Sequence, residues 1–288
     1  MKPEPVLPII EVDHIKPWLH ICLSTPLIAG LDIGSRSIEL VVVSSSQMIY
    51  QARLPTTFDP LSQCRRLLAK LPAYPLVATG YGRNLVAEYL AQAEPNRPVT
   101  VITEIKAYAN GVHTIFPQAR TVLDIGGQDT KVIALAPNGR VLHFEMNDRC
   151  AAGTGKFLEF MANIFQVLVE NFGHLALTGS TRLAIGNMCT VFAETEAMSL
   201  MAQGHRQEDI ALGLHAAIVK RTLGMLGRVG LTLPLVFAGG VAHNPCVVTL
   251  LREALDEPPL LPETPDYVGA LGAAIWGEKQ FGVKDITI

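Results

Sequence analysis

The stretch Thr121-Val-Leu-Asp124-Ile-Gly126-Gly127-Gln128-Asp129-Thr-Lys131 is followed by a second apolar run, then by Asn147-Asp148-Arg149-Cys150-Ala-Ala-Gly153-Thr154-Gly155-Lys156-Phe-Leu-Glu159. Its reading decides the fold. The first part is an apolar strand that closes in Asp-x-Gly-Gly. Glycines there let backbone N–H groups approach an anion, and the carboxylate can hold hydrated Mg²⁺, so the segment reads as a phosphate loop. The second part sets one cysteine before a Gly-rich turn that opens a helical pattern of Phe157, Leu158, Met161, Ile164, Phe165 and Leu168. A thiolate at a helix N-terminus is stabilised by the helix dipole, which makes Cys150 a candidate metal ligand.

Outward from this stretch the chain repeats itself. Leu-Asp32-Ile-Gly34-Ser35 stands 92 residues before Leu-Asp124-Ile-Gly126-Gly127, and each closes an apolar strand that a second β-rich run follows. Two copies of a strand-Asp-x-Gly-turn-strand unit predict two similar lobes facing each other across a cleft. A third glycine turn, Gly239-Gly240-Val-Ala-His243-Asn244, closes the strand Leu235 to Ala238, and Asn244 is placed to cap the helix that follows. Further strands are expected at Leu27 to Ile33, Ile38 to Ser44, Met48 to Leu54, Leu76 to Thr79 and Val99 to Ile102. Helices are expected at Leu61 to Leu71, Asn84 to Ala93, Glu104 to Phe116, Glu194 to Ala202, Asp209 to Val229 and Asp266 to Phe281. The last carries Gly269-Ala-Leu-Gly272-Ala-Ala, small enough to pack closely on a neighbour. The fold class is α/β. The expected division is an N-terminal appendage at 1–26, a first lobe at 27–118, a second lobe with the candidate cysteines at 119–265, and a C-terminal helix at 266–288 returning to the first lobe.

Composition narrows the function. A net charge of −3 builds no strong field for nucleic acid or anionic membrane, so neither is expected as a partner. The uncharged window Leu231 to Leu251 is broken by Pro234, Gly239, Gly240 and Pro245, which argues against a membrane span. Residues 1–26 lack the charge pattern of a secretory signal, and a cytoplasmic location is expected. Five widely spaced cysteines, Cys22, Cys64, Cys150, Cys189 and Cys246, argue against a disulfide framework. Only Cys150 and Cys189 lie in Gly-rich turns; the other three read as packing residues.

The three glycine turns resemble the phosphate-1, phosphate-2 and adenosine loops of the fold shared by sugar kinases, actin and heat-shock chaperones, built from two ribonuclease H-like lobes. The segment from Asp124 to Glu159 is more specific. Together with Met188-Cys189-Thr-Val-Phe-Ala-Glu194, it resembles the family of 2-hydroxyacyl-CoA dehydratase activators and benzoyl-CoA reductase ATPase subunits, a likeness covering roughly residues 27–278. That resemblance implies a homodimer with one 4Fe-4S cluster at its seam, two cysteines coming from each chain. It further implies ATP hydrolysis that re-aims the cluster-facing helices, and transfer of a low-potential electron to a partner iron–sulfur enzyme. The implied acceptor is a dehydratase, a reductase or a double-cubane cluster protein, and the implied donor is ferredoxin or flavodoxin. Two such cysteines per chain agree with a cubane's need for four thiolates only if two chains share it.

Residue by residue, Gly34, Ser35, Gly126, Gly127, Gln128 and Lys131 are expected around the phosphates of ATP or ADP, with Gly239 and Gly240 toward the adenosine. Asp32 and Asp124 are expected to hold Mg²⁺ through water, Gln128 to orient the attacking water, and Cys150 and Cys189 to ligate the cluster. Two positions depart from the family pattern. Glu39 stands where the first repeat usually carries a lysine equivalent to Lys131, and is expected to point away or to have its role taken by Arg36. Tyr108 replaces a histidine in Thr103-Glu104-Ile-Lys-Ala-Tyr108. The competing classes are a sugar or acyl kinase on the same fold, which would use one Asp as base, and a non-enzymatic ATP-regulated binding module. The kinase would not need Cys150 and Cys189 in glycine turns and usually needs substrate-binding insertions for which a chain this short leaves little room, and visible absorbance separates both classes from the electron carrier.

Overall fold

The structure, a computed structural model, describes residues 26–186 and 189–281. Of the expected appendage only Pro26 is included; Cys22, Met188 of the second cysteine motif and residues 282–288 lie outside the described residues. The contacts divide the chain into two units, one containing residues 26–115 and 266–281, the other residues 116–265.

In the first unit, β1 (Ile28–Ile33), β2 (Ser37–Ser44), β3 (Gln47–Pro55), β4 (Leu76–Gly80) and β5 (Val99–Val101) form one sheet in the order β3-β2-β1-β4-β5. β1 to β3 run antiparallel, while β4 is parallel to β1 and β5 to β4. β1 is buried along its whole length, as a strand covered on both faces must be. Its side chains alternate between two cores. Ala29, Leu31 and Ile33 pack with Leu67 and Leu68 of α1 (Pro60–Leu68) and with Val86 and Leu90 of α2 (Arg83–Ala93). Ile28 faces the opposite way, toward α9 (Val268–Phe281). α9 also packs along α3 (Glu104–Ile115), and there the small residues are required. A Cβ on Gly272 would run into Ala107 O and Gly111 N of α3, so the two helices meet at backbone distance. α1 starts on Pro60 with Asp59 Oδ1 accepting from Ser62 N at 3.0 Å. It stops at Leu68, short of the expected Leu71, before the prolines at 72 and 75.

The second unit repeats the scheme. β6 (Thr121–Ile125), β7 (Thr130–Leu135), β8 (Val141–Asn147) and β9 (Leu235–Ala238) form a sheet in the order β8-β7-β6-β9, with β9 parallel to β6 and the rest antiparallel. Both sheets therefore carry the ribonuclease H-like order 3-2-1-4, and the α/β class is as expected. Leu123, Ile125 and Val132 face a core built with α4 (Gly155–Ile164), α5 (Val169–Leu177), α6 (Thr190–Ala202), α7 (Gln207–Val229) and α8 (Pro245–Ala254). The helical pattern expected to run through Leu168 instead breaks. Gln166 adopts a φ of 55°, Leu168 is 70% exposed, and a separate α5 follows. α6 begins directly after Cys189 rather than at Glu194. Among the described residues, α7 alone has the length and apolarity to cross a membrane, but 67% of that window is buried within the protein, as in a core helix.

Candidate functional site

Each repeat closes its first strand with the same turn. Gly34 N donates to Ser37 O at 3.0 Å, and Gly126 N donates to Asp129 O at 3.0 Å. Gly34, Ser35, Gly126 and Gly127 are partly exposed there, and Gln128 is exposed at the tip of its loop. The two aspartates sit one step before these turns, buried, at 7% exposure for Asp32 and 1% for Asp124.

Across the strand pairs the repeats differ. Antiparallel Cα partners place their side chains on one face, and these partners are Asp124 with Lys131 but Asp32 with Glu39. In the second unit Lys131 Nζ lies 3.0 Å from Asp124 Oδ2 and 2.6 Å from Asp129 Oδ2. The ammonium expected among phosphates is thus held by two carboxylates of its own loop. In the first unit a carboxyl group occupies the equivalent place. Glu39 is buried, and its Oε1 has no hydrogen-bond partner. Burial first, then the charge of Asp32, push its carboxyl well above the usual range, against opposing effects of a Ser37 hydrogen bond and of Arg53. The expectation that Glu39 points away is therefore corrected: strand register sets it beside Asp32. Arg36 lies exposed in the turn, and Arg53, bound to Asp266 at 2.9 Å, is the basic residue whose charge lowers the Glu39 carboxyl. Tyr108, the other departure, is buried on α3 beside Gly269.

The sequence reading missed a further correspondence. Gly239, after β9, has a φ of 82°, and a Cβ there would strike Asp124 Oδ1; Gly80, closing β4, has a φ of 87°, and a Cβ there would strike Asp32 Oδ1. Both strands are the parallel neighbours of the aspartate-bearing strands, so each repeat needs a left-handed glycine against its carboxylate. The signal was present in Thr79-Gly80-Tyr-Gly82, but nothing local ties that turn to Asp32. Gly240 is exposed and opens the short turn Gly240–His243 that Asn244 closes.

The cysteines divide as expected for the described residues. Cys64 and Cys246 are buried, and burial pushes both thiols up to about 12, so they are inert packing groups at neutral pH. Cys150 and Cys189 are exposed, Cys189 at the N-cap of α6. The turn holding Cys150 is tied to its surroundings: Asn147 Nδ2 donates to Cys150 O at 3.0 Å, and Thr130 Oγ1 donates to Gly153 O at 3.1 Å. It is also sewn to the loop that follows β6. Gly155 N donates to Gly126 O at 2.9 Å and Lys156 N to Gly127 O at 2.8 Å. Among the described residues no group of three or more His, Cys, Asp or Glu is placed to hold a metal ion. Two exposed thiols supply half of the donor set of a cubane, so their chemistry fits a cluster completed by a second copy.

The profile of the BadF/BadG/BcrA/BcrD ATPase family matches residues 59–277. The 2-hydroxyisocaproyl-CoA dehydratase activator of Clostridioides difficile is 36% identical over 271 residues, 89% of this chain and 98% of that protein. The crystal structure of the (R)-2-hydroxyglutaryl-CoA dehydratase component A of Acidaminococcus fermentans superposes with a TM-score of 0.80 at 34% identity, covering 89% of this chain and 99% of that one. The Clostridium difficile activator solved with bound ADPNP gives 0.77 at 34% identity, covering 91% and 100%.

Proposed function

Since the chain belongs to the BadF/BadG/BcrA/BcrD ATPase family, we propose that it is an ATP-hydrolysing activator delivering a low-potential electron to a partner iron–sulfur enzyme. The partner is of the dehydratase or reductase type its relatives serve. Two copies hold one 4Fe-4S cluster through Cys150 and Cys189 of each, and ferredoxin or flavodoxin reloads it. When bound, the cluster supplies a one-electron carrier.

The observation that carries this reading is the pair of backbone hydrogen bonds from Gly155 and Lys156 to Gly126 and Gly127. Peptide planes that follow a γ-phosphate at Gly126 and Gly127 move their carbonyls, and those carbonyls hold the first turn of α4. The Cys150 turn lies immediately before that turn, so a change at phosphate becomes a change at the thiolate. This is the bistable connection a nucleotide switch needs.

Ser35 in the first unit and Gly127 in the second offer backbone donors to phosphate, beside Gly34 and Gly126, whose own N–H groups close the two turns; Gly239 and Gly240 lie toward the adenosine, and exposed Gln128 orients water. The two aspartates differ in their neighbours: Asp124 is paired with Lys131, and Asp32 lies beside Glu39. Both are suited to hold hydrated Mg²⁺ through water, and Lys131 fixes Asp124 and the loop's shape.

The test is electrochemical. The midpoint potential is measured with ADP, with a non-hydrolysable ATP analogue and without nucleotide, and ADP affinity is measured in both redox states. Linkage requires the two to agree, with each tenfold change in affinity matching about 59 mV for one electron. Coincident potentials with redox-independent ADP binding would refute coupling of nucleotide to the cluster's potential.

A further inference from the structure

His215 is fully buried in α7, and both of its ring nitrogens are engaged. Nδ1 lies 2.7 Å from Ala211 O, a group that can only accept, so Nδ1 carries the proton. Burial holds the ring neutral, with its pKa lowered to about 4. Nε2 is therefore an acceptor, and Asn244 Nδ2 lies 3.1 Å from it. The other end of the same amide, Oδ1, accepts from Cys246 N at 3.0 Å and Val247 N at 3.1 Å, capping α8. Two acceptor-seeking backbone N–H groups on one side and an acceptor nitrogen on the other leave the Asn244 amide a single orientation.

That amide closes the Gly240–His243 turn. Asn244 N donates to Val241 O at 2.9 Å, and Ala242 N donates to Gly239 O at 3.0 Å. α5 also shapes the pocket: a Cβ on Gly173 would come within 2.8 Å of Asn244 Cγ, and Phe172 packs its ring 4.9 Å from the His215 ring. Three helices thus converge on one carboxamide at the end of the third glycine turn. The arrangement is more elaborate than an N-cap needs, since the two Oδ1 bonds alone satisfy α8.

We propose that His215 is a positioning residue for adenine nucleotide: without touching it, His215 fixes the Asn244 amide and so the shape of the Gly239–His243 loop. This rests on the reading that the loop meets the nucleotide. Loss of the ring acceptor leaves a half-buried Nδ2–H without its partner. The amide then turns to find one, and the loop relaxes with it.

The experiment measures ADP affinity, KM and kcat for ATP hydrolysis, and melting temperature in full-length His215→Leu, His215→Gln and Gly240→Val. His215→Leu should weaken ADP and raise KM about tenfold, with kcat within twofold. His215→Gln should stay within threefold of wild type, because its amide can donate to Ala211 O and accept from Asn244. Gly240 is exposed, so Gly240→Val should weaken ADP without unfolding the unit. If His215→Leu melts lower yet binds ADP as wild type does, His215 is a core residue only and the proposal fails. Should Gly240→Val bind ADP normally, the loop does not meet nucleotide, and the underlying reading falls with the proposal. If His215→Leu does not fold, Asn244→Ser decides. It retains a cap but cannot reach His215; weakened ADP supports the proposal and unchanged ADP overturns it.

Discussion

Lys131→Met removes an ammonium and keeps most of the side-chain volume, and the consequence can be worked from the strand pair. Asp124 is 1% exposed and Lys131 2% exposed, their charged atoms 3.0 Å apart. Breaking such a buried pair by removing one partner costs about 3–5 kcal/mol, chiefly because the remaining carboxylate is left uncompensated. Asp129 adds to the cost, since it loses the same ammonium at 2.6 Å and becomes a like charge near Asp124. For a unit of this size, that lowers the melting temperature by roughly 10 °C. Calorimetry would read the shift in the transition of the unit containing residues 116–265. If the cause is an orphaned charge rather than lost packing, Asp124→Asn in the Lys131→Met background should recover part of the loss, with a coupling above about 1 kcal/mol in the double-mutant cycle. A shift below about 2 °C, or two strictly additive substitutions, would refute the account of this pair.

Other outcomes follow from the same geometry. Asp32→Asn should lower kcat for ATP hydrolysis about 100-fold and raise the Mg²⁺ concentration needed for half-maximal rate, while the visible spectrum persists; an unaltered Mg²⁺ dependence would remove Asp32 from cation binding. Glu39 carries a raised carboxyl pKa, so its contribution to stability is present below the unfolded value near 4.5 and is lost as pH rises toward the folded value. Glu39→Gln should therefore gain on wild type in melts from pH 5 to pH 8, and parallel curves would contradict this. His215 carries a lowered pKa of about 4 against 6.5 unfolded. Its contribution is complete above 6.5 and falls by about 3 kcal/mol as pH drops toward 4. His215→Gln should flatten that acid limb; an unchanged limb would place the acid sensitivity elsewhere.

What the sequence disclosed was whatever repeats or clusters locally. Asp32-x-Gly34 and Asp124-x-Gly126 announce themselves by spacing, and the strand order of both sheets follows from the units they open. Cys150 and Cys189 were separable from Cys64 and Cys246 by their glycine-rich turns, and exposure divides them the same way. What stayed hidden depends on pairing across distance. The partner of Asp32 is set by register between β1 and β2, so Glu39 could be identified as unusual but not placed. Gly80 belongs with Asp32 only once β4 lies beside β1. α5 was lost because Leu168 extends the apolar spacing of α4, although Gln166 turns the chain before it. His215 carries no local signal, since its partner Asn244 is 29 residues away.

The most direct measurement is an iron and acid-labile sulfide count with a visible spectrum on the anaerobically purified protein, alongside its mass in solution. The account predicts a brown dimer with about four irons per two chains, because each chain offers two cluster thiolates, Cys150 and Cys189. Cys150→Ala should abolish the colour, whereas Cys246→Ala should retain it. Colourless, iron-free protein after anaerobic reconstitution, or a brown monomer with four irons per chain, would contradict a cluster shared between two copies.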